Sequence, residues 1–331
     1  MKYNTYTLDN GLRIIHLPSD SKVVYCGYQI NAGTRNEEPG EEGLAHFCEH
    51  VTFKGTERRK AWHILNCLES VGGDLNAYTN KEGTVYYSAI LKEHIARAVD
   101  LLTDIVFHSV YPQAEIDKEV EVICDEIESY NDSPAELIYD EFENIIFKGS
   151  PLGHNILGTA EQVRSFKTED ALRFTRKLYR PDNAIFFAYG DIDFKKLVRL
   201  LQRALADDES VVNLAEEKLP QISQITQISW NENSIAEEKS VSSVKSVGPK
   251  NYPSVGDGIA GQTIVMQKNT HQAHVMIGTR AYDVNDSRRM PLYLLNNMLG
   301  GPGMNAKLNL ALREHNGLVY TVESTMGAYG D

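Results

Sequence analysis

The sequence predicts an α+β protein made of two related αβ domains, each a mostly antiparallel sheet flanked by helices, with the second incomplete. Three observations lead there. Residues 1–207 mix short alternating apolar runs, bounded by turn residues, with longer stretches of helical period. Over 208–261 the composition shifts toward Ser, Val, Glu, Lys and Gln, and clean periodicity is lost, which marks a linker. Residues 262–331 then restart a strand, loop, helix, helix, strand order that mirrors residues 23–90.

In the first domain, residues 3–30 read as a β-hairpin turning at Asp9-Asn10-Gly11, with Val23 to Ile30 as its second strand. A polar loop, Asn31 to Gly40, leads into a helical stretch from Gly43 to Gly55. Lys60 to Val71 is an amphipathic helix ending at Gly72-Gly73. Strands follow at 74–79 and 84–91, joined by the turn Asn80-Lys81-Glu82-Gly83. Helices are expected at 93–108, 112–130, 133–147, 168–179 and 193–206, with a loop at 149–158 and a strand at 184–189. The linker has room for strands around Ile222–Trp230. The second domain is read as a strand at 271–282, helices at 287–299 and 304–315, and a strand at 318–326. It halts at Asp331 before the later helices of the first copy have counterparts, so it is expected to be partial.

Charge and cysteine usage narrow the function. Lys and Arg total 33 against 46 Asp and Glu, a formal net charge of −13. That argues against nucleic acid as a partner and suits a basic or unfolded polypeptide. The N-terminal residues contain no apolar run, and no stretch is long enough to span a bilayer. No membrane association is expected, and a cytoplasmic location is. Cys26, Cys48, Cys67 and Cys124 form no Cys-x-x-Cys pair and read as reduced thiols.

The chemistry concentrates in His46-Phe47-Cys48-Glu49-His50. On a helix, residues three and four apart share a face, so His46, Glu49 and His50 project together. Two neutral imidazoles at that spacing can grip one zinc ion, and a carboxylate beside them can take a proton from water. His-x-x-Glu-His is the inverzincin order, the reverse of the commoner His-Glu-x-x-His. Glu41 and Glu42 stand at the start of the helix, where its dipole favours negative charge. Cys48 points off the histidine face. A catalytic zinc needs a third protein ligand. On the helix at 112–130, Glu119 and Glu126 share a face near Val122, Ile123 and Ile127. A carboxylate among apolar residues calls for a partner or a metal, and Glu126 is read as the third ligand.

With these residues in view, the chain resembles the pitrilysin/insulinase family of zinc metallopeptidases, in particular the half-length forms related to mitochondrial processing peptidase. The resemblance is carried by Ala32-Gly33-Thr34-Arg35-Asn36-Glu37, by Gly43 to His50, and by Phe53-Lys54-Gly55-Thr56. It continues in Gly72 to Thr79, in Glu82 and Thr84, and in the interval from His50 to Glu126. It is strong over 1–205 and weaker over 262–331. It implies one Zn²⁺ per chain on His46, His50 and Glu126, with Glu49 as general base. It implies that Glu119 supports the ligands and that Asn76 and Ala77 pair with an extended substrate backbone. In the second domain, the segment Leu312 to Tyr320 resembles the family's Arg…Tyr pair. Arg313 would then contact the substrate backbone and Tyr320 would help stabilise the oxyanion. The second copy has Leu294-Leu295-Asn296-Asn297-Met298 where the first has its metal helix, so it cannot build the same site. The function expected is a zinc endopeptidase for small or unfolded peptides. The alternative, drawn from the same family, is a non-catalytic peptide-binding or partner subunit of a processing peptidase. The half-length size implies, by that analogy, a homo- or heterodimer.

Overall fold

The computed structural model of the chain describes residues 2–206, 263–267 and 271–330. It divides into two compact units, Met1–Val275 and Met276–Asp331. The linker expected at 208–261, with its strands at Ile222–Trp230, lies outside the described residues.

The first unit is one six-stranded sheet with helices packed on it. Its strands are β1 (Asn4–Thr7), β2 (Arg13–Pro18), β3 (Val23–Ile30), β4 (Asp74–Thr79), β5 (Thr84–Leu91) and β6 (Ala184–Gly190). Their spatial order is β1-β2-β6-β3-β5-β4. Every pairing is antiparallel except β2 with β6. The mixed, mostly antiparallel sheet agrees with the expected fold class.

The hairpin expectation needs correction. The tight turn at Asp9-Asn10-Gly11 joins β1 to β2, and Gly11 takes φ +87°, a left-handed conformation that glycine adopts without a Cβ clash. Val23 to Ile30 is not the partner of that hairpin, because β6 lies between β2 and β3. A strand some 150 residues later in the chain fills the gap, and local patterning cannot announce that.

The helices are α1 (Leu44–Thr52), α2 (Ala61–Glu69), α3 (Ile95–Phe107), α4 (Gln113–Asn131), α5 (Pro134–Ile146), α6 (Ala160–Ser165), α7 (Thr168–Leu178) and α8 (Phe194–Ala204). Their extents follow the apolar periodicity closely; α6, a single short turn, was not expected.

One sheet face is covered. Val24, Cys26, Tyr28 and Ile30 of β3, Tyr86 and Ile90 of β5, and Ala184, Phe186 and Ala188 of β6 point into the helix layer and are buried. The opposite face carries the exposed Tyr25, Tyr78 and Tyr189. Tyr28 is fully buried, and its hydroxyl meets Thr103 Oγ1 on α3 at 2.8 Å, which satisfies both polar groups. α1 packs against α4, α7 and β4.

The second unit contains α9 (Arg289–Gly300) and a π-helical turn, Asn309–Glu314. The strands expected at 271–282 and 318–326 are not formed among its described residues. The expected helix at 304–315 shrinks to the π-helical turn.

Candidate metal centre

α1 begins at Gly43, whose φ of +95° and close approach to the Leu157 carbonyl oxygen leave no room for a Cβ. Its first amides are capped by Glu37, six residues before Gly43. Glu37 Oε2 accepts from the Gly43 N–H at 3.2 Å, and Oε1 accepts from the Ala45 N–H at 2.8 Å. The Glu37 side chain is almost completely buried, and burial raises its pKa even though His154 Nε2 lies 2.8 Å from Oε2. His154 is thereby assigned a place the sequence left open. Its carbonyl also accepts a hydrogen bond from the buried Lys81. Leu44, Ala45, Phe47, Cys48 and Val51 sink the opposite side of α1 into the core.

The other face of α1 does what its spacing predicts. The rings of His46 and His50 lie 4.6 Å apart, centroid to centroid, at 70° to one another. Glu126 on α4 reaches across to both: its Oε2 is 3.2 Å from His50 Nε2 and 3.7 Å from His46 Nε2. One ligand atom from each of the three residues lies within 4.8 Å of the others. Two donors on a single tetrahedral zinc stand roughly 3.3 Å apart, given bonds of about 2.0–2.1 Å. The donor set, two imidazole nitrogens and a carboxylate oxygen, fits zinc in both chemistry and spacing.

Glu119, two turns before Glu126, accepts from His50 Nδ1 at 3.1 Å through Oε1. Its Oε2 pairs with Lys54 Nζ at 2.5 Å. Lys54 lies four residues after His50, just beyond the end of α1. Glu119 is partly buried, which alone would raise its pKa, but the His50 and Lys54 contacts outweigh this and hold it below the usual value. Burial and the neighbouring His50 push His46 down to about 4. His50 is also desolvated, yet its hydrogen bonds to Glu119 and Glu126 bring it up to about 9. Glu126 is held low, first by its hydrogen bond with His50.

Glu49 projects beside the histidines. Burial raises its pKa, against the hydrogen bond it accepts at Oε2 from Thr79 Oγ1 at 2.6 Å. Thr79 was missed from sequence. It belongs to β4, which is the edge strand of the sheet among the described residues. Asn76 and Ala77 are on the same strand, and the Ala77 N–H donates to the Asn76 side-chain oxygen at 2.9 Å. That donor therefore faces the open side of β4. A cleft of about 290 Å³ runs beside Glu49 and His50. Phe53, Leu65, Leu75 and Ala77 give it apolar walls, and Lys54, Glu69, Asn76 and Glu119 give it polar ones.

Arg313 and Tyr320 belong to the second unit. Arg313 sits in the π-helical turn, with its guanidinium 5.7 Å from the Tyr320 ring centroid, and Tyr320 is 84% exposed. The segment Leu294 to Met298 lies within α9 and carries no histidine.

A helix-borne His-x-x-Glu-His, completed by a glutamate from a second helix beside a sheet edge, defines a zinc-protease type of domain. Comparison with known proteins agrees. The family model "Insulinase (Peptidase family M16)" matches residues 14–160, and "Peptidase M16 inactive domain" matches 165–331. An uncharacterized zinc protease of Rickettsia bellii is 33% identical over 99% of this chain and 71% of its own length. The β subunit of the mitochondrial-processing peptidase of Saccharomyces cerevisiae is 37% identical over 60% of this chain and 43% of its own length. A solved protease from Helicobacter pylori shares the fold, with a TM-score of 0.73 at 20% identity, covering all of this chain and 72% of that one. The chain belongs to the insulinase family, peptidase family M16. Among its described residues, no helix is long and apolar enough to cross a membrane.

Proposed function

We propose that this chain is a zinc-dependent endopeptidase acting on small or unfolded peptides, with His46, His50 and Glu126 as the zinc ligands and Glu49 as the general base. The observation that carries this reading is the convergence of the three ligand atoms within 4.8 Å, with the partly buried carboxylate of Glu49 on the same face of α1 as the two histidines. Zinc held there supplies Lewis acidity toward a peptide carbonyl and lowers the pKa of water. Glu49 takes the proton from the attacking water and returns it to the leaving amine. Thr79 engages Oε2, and Oε1 has no protein partner among the described residues, so it is the oxygen that exchanges the proton.

The open edge of β4 at Asn76 and Ala77 receives the substrate main chain as an added strand, and the apolar walls of the cleft take a side chain. Glu119, with Lys54 behind it, steadies His50. Arg313 and Tyr320 are proposed, by family resemblance, to contact the substrate backbone and the oxyanion. The yeast relative is named as a subunit, in keeping with a homo- or heterodimer here.

The test is Glu49→Gln. Metal analysis should still find one zinc per chain, while cleavage of an unstructured peptide falls by at least about 10²-fold. Undiminished cleavage by this variant would sink the proposed mechanism.

A further inference from the structure

Thr79 is two residues beyond Ala77 on β4, so both side chains lie on the sheet face turned toward α1. Its hydroxyl stands in a short chain of groups. Thr84 Oγ1 donates to the Ala32 carbonyl oxygen at 2.7 Å. The oxygens of Thr79 and Thr84 are 3.3 Å apart. Each hydroxyl has a single proton. With the Thr84 proton committed to a carbonyl, the Thr79 proton is free to point at Glu49 Oε2, 2.6 Å away. Thr84 is fully buried and fixed in register opposite Thr79, so the hydroxyl chain is anchored in the sheet.

Glu49 otherwise has three side-chain torsions and no other protein hydrogen bond among the described residues. α1 places its Cβ, but only Thr79 fixes its carboxylate. The same strand that fixes it is the edge strand of the sheet.

We infer that Thr79 is a positioning residue that ties the substrate-accepting edge of β4 to the Glu49 carboxylate. This rests on reading Glu49 as the general base. Main-chain docking along the β4 edge immobilises that strand and, through one hydroxyl, holds Glu49 Oε2 still and presents Oε1 to the reacting water. An enzyme built this way has its base oriented best when the edge is occupied, and substrate length along the edge affects kcat as well as KM.

The experiment compares Thr79→Val, which keeps the shape and removes the donor, with Thr79→Ser, which keeps the donor. With an unstructured peptide, Thr79→Val should lower kcat by at least about tenfold with KM changed by less than about twofold, the scale of a lost hydrogen bond to a charged group. Thr79→Ser should stay within about threefold of the parent chain. Zinc content should match in all three. Parent-like kcat in Thr79→Val overturns the inference. If the valine chain does not fold, Thr79→Ala takes its place, and equal kcat in the alanine and serine chains overturns it. A double-mutant cycle with Glu49→Ala, read by urea unfolding of the zinc-free chains, needs no turnover. The double variant should lose less stability than the two single losses added together, and strict additivity overturns the inference. A parent chain without Glu49-dependent cleavage counts against the peptidase reading, while the cycle still decides the Thr79–Glu49 contact.

Discussion

His50 Nδ1 meets Glu119 Oε1 at 3.1 Å, whereas the equivalent atom of His46 is buried with no hydrogen-bond partner among the described residues. The two imidazoles of one motif are therefore held differently. His50 is fixed through its far nitrogen and His46 by packing alone.

Glu119→Gln removes the charge that both His50 and Lys54 face. Zinc affinity should fall by about 10–100-fold, the usual cost of losing a carboxylate behind a ligand histidine. Competition with a chelator of known affinity measures it. Unchanged affinity would mean that Glu119 serves only the Lys54 ion pair.

Zinc uptake should release a proton. His46, held at about 4, is neutral at pH 7 and needs to lose none. His50, raised to about 9, carries a proton at pH 7 that the metal must displace. The ligand form grows as pH rises toward that value, so apparent affinity should climb by about tenfold per pH unit below pH 9 and then level off. Calorimetry in buffers of different ionisation enthalpy should register about one proton released per zinc at pH 7. Zinc binding with no proton release would contradict the charged state assigned to His50.

Glu37→Ala leaves the Gly43 and Ala45 amides without their acceptor at the start of α1 and strips His154 of its partner. The zinc-free chain should lose about 2–4 kcal/mol of unfolding free energy, a cap loss combined with unsatisfied buried donors. Glu41→Ala, on the surface pair with Arg173, should cost under about 1 kcal/mol. Urea unfolding of both chains ranks them, and equal losses would place the cap elsewhere.

Ala77→Pro deletes the N–H that faces the open edge of β4. Proline is tolerated on edge strands when the missing donor points to solvent. The melting temperature should move by only a few degrees, while kcat/KM for an extended peptide drops by about tenfold or more. Full kcat/KM in a well-folded Ala77→Pro chain would remove the edge from substrate binding.

What the sequence made legible was local. His46, Glu49 and His50 share a face because helical geometry demands it, and Glu126 could be singled out because a carboxylate beside Ile123 and Ile127 needs a partner. The strand pair β4 and β5 was readable because a turn of Asn, Lys, Glu and Gly separates two alternating runs. Contacts that join distant segments were not readable. Glu37 caps α1 across a loop, and nothing in its neighbourhood marks it above Glu41 and Glu42, which stand closer in sequence. Thr79 reaches Glu49 only because β4 lies against α1. The strands read from alternation in 271–282 and 318–326 are not formed among the described residues, because alternation marks a face and does not itself fix a pairing.

The central position of β6 sets the order in which this protein can be completed. Among the described strands, two pieces of the sheet, the β1–β2 hairpin and β3–β5–β4, are joined through β6, residues 184–190. On a ribosome adding about 5–20 residues per second, the helix bearing His46 and His50 emerges on the order of 10 s before that joining strand. Until then α1 has only part of the sheet to rest on, and α7, one of the helices it packs against, is made only shortly before the joining strand. His46 and His50 are thus exposed on a nascent segment well before the domain closes, so the two imidazoles wait for the carboxylate of Glu126 and for the sheet beneath them.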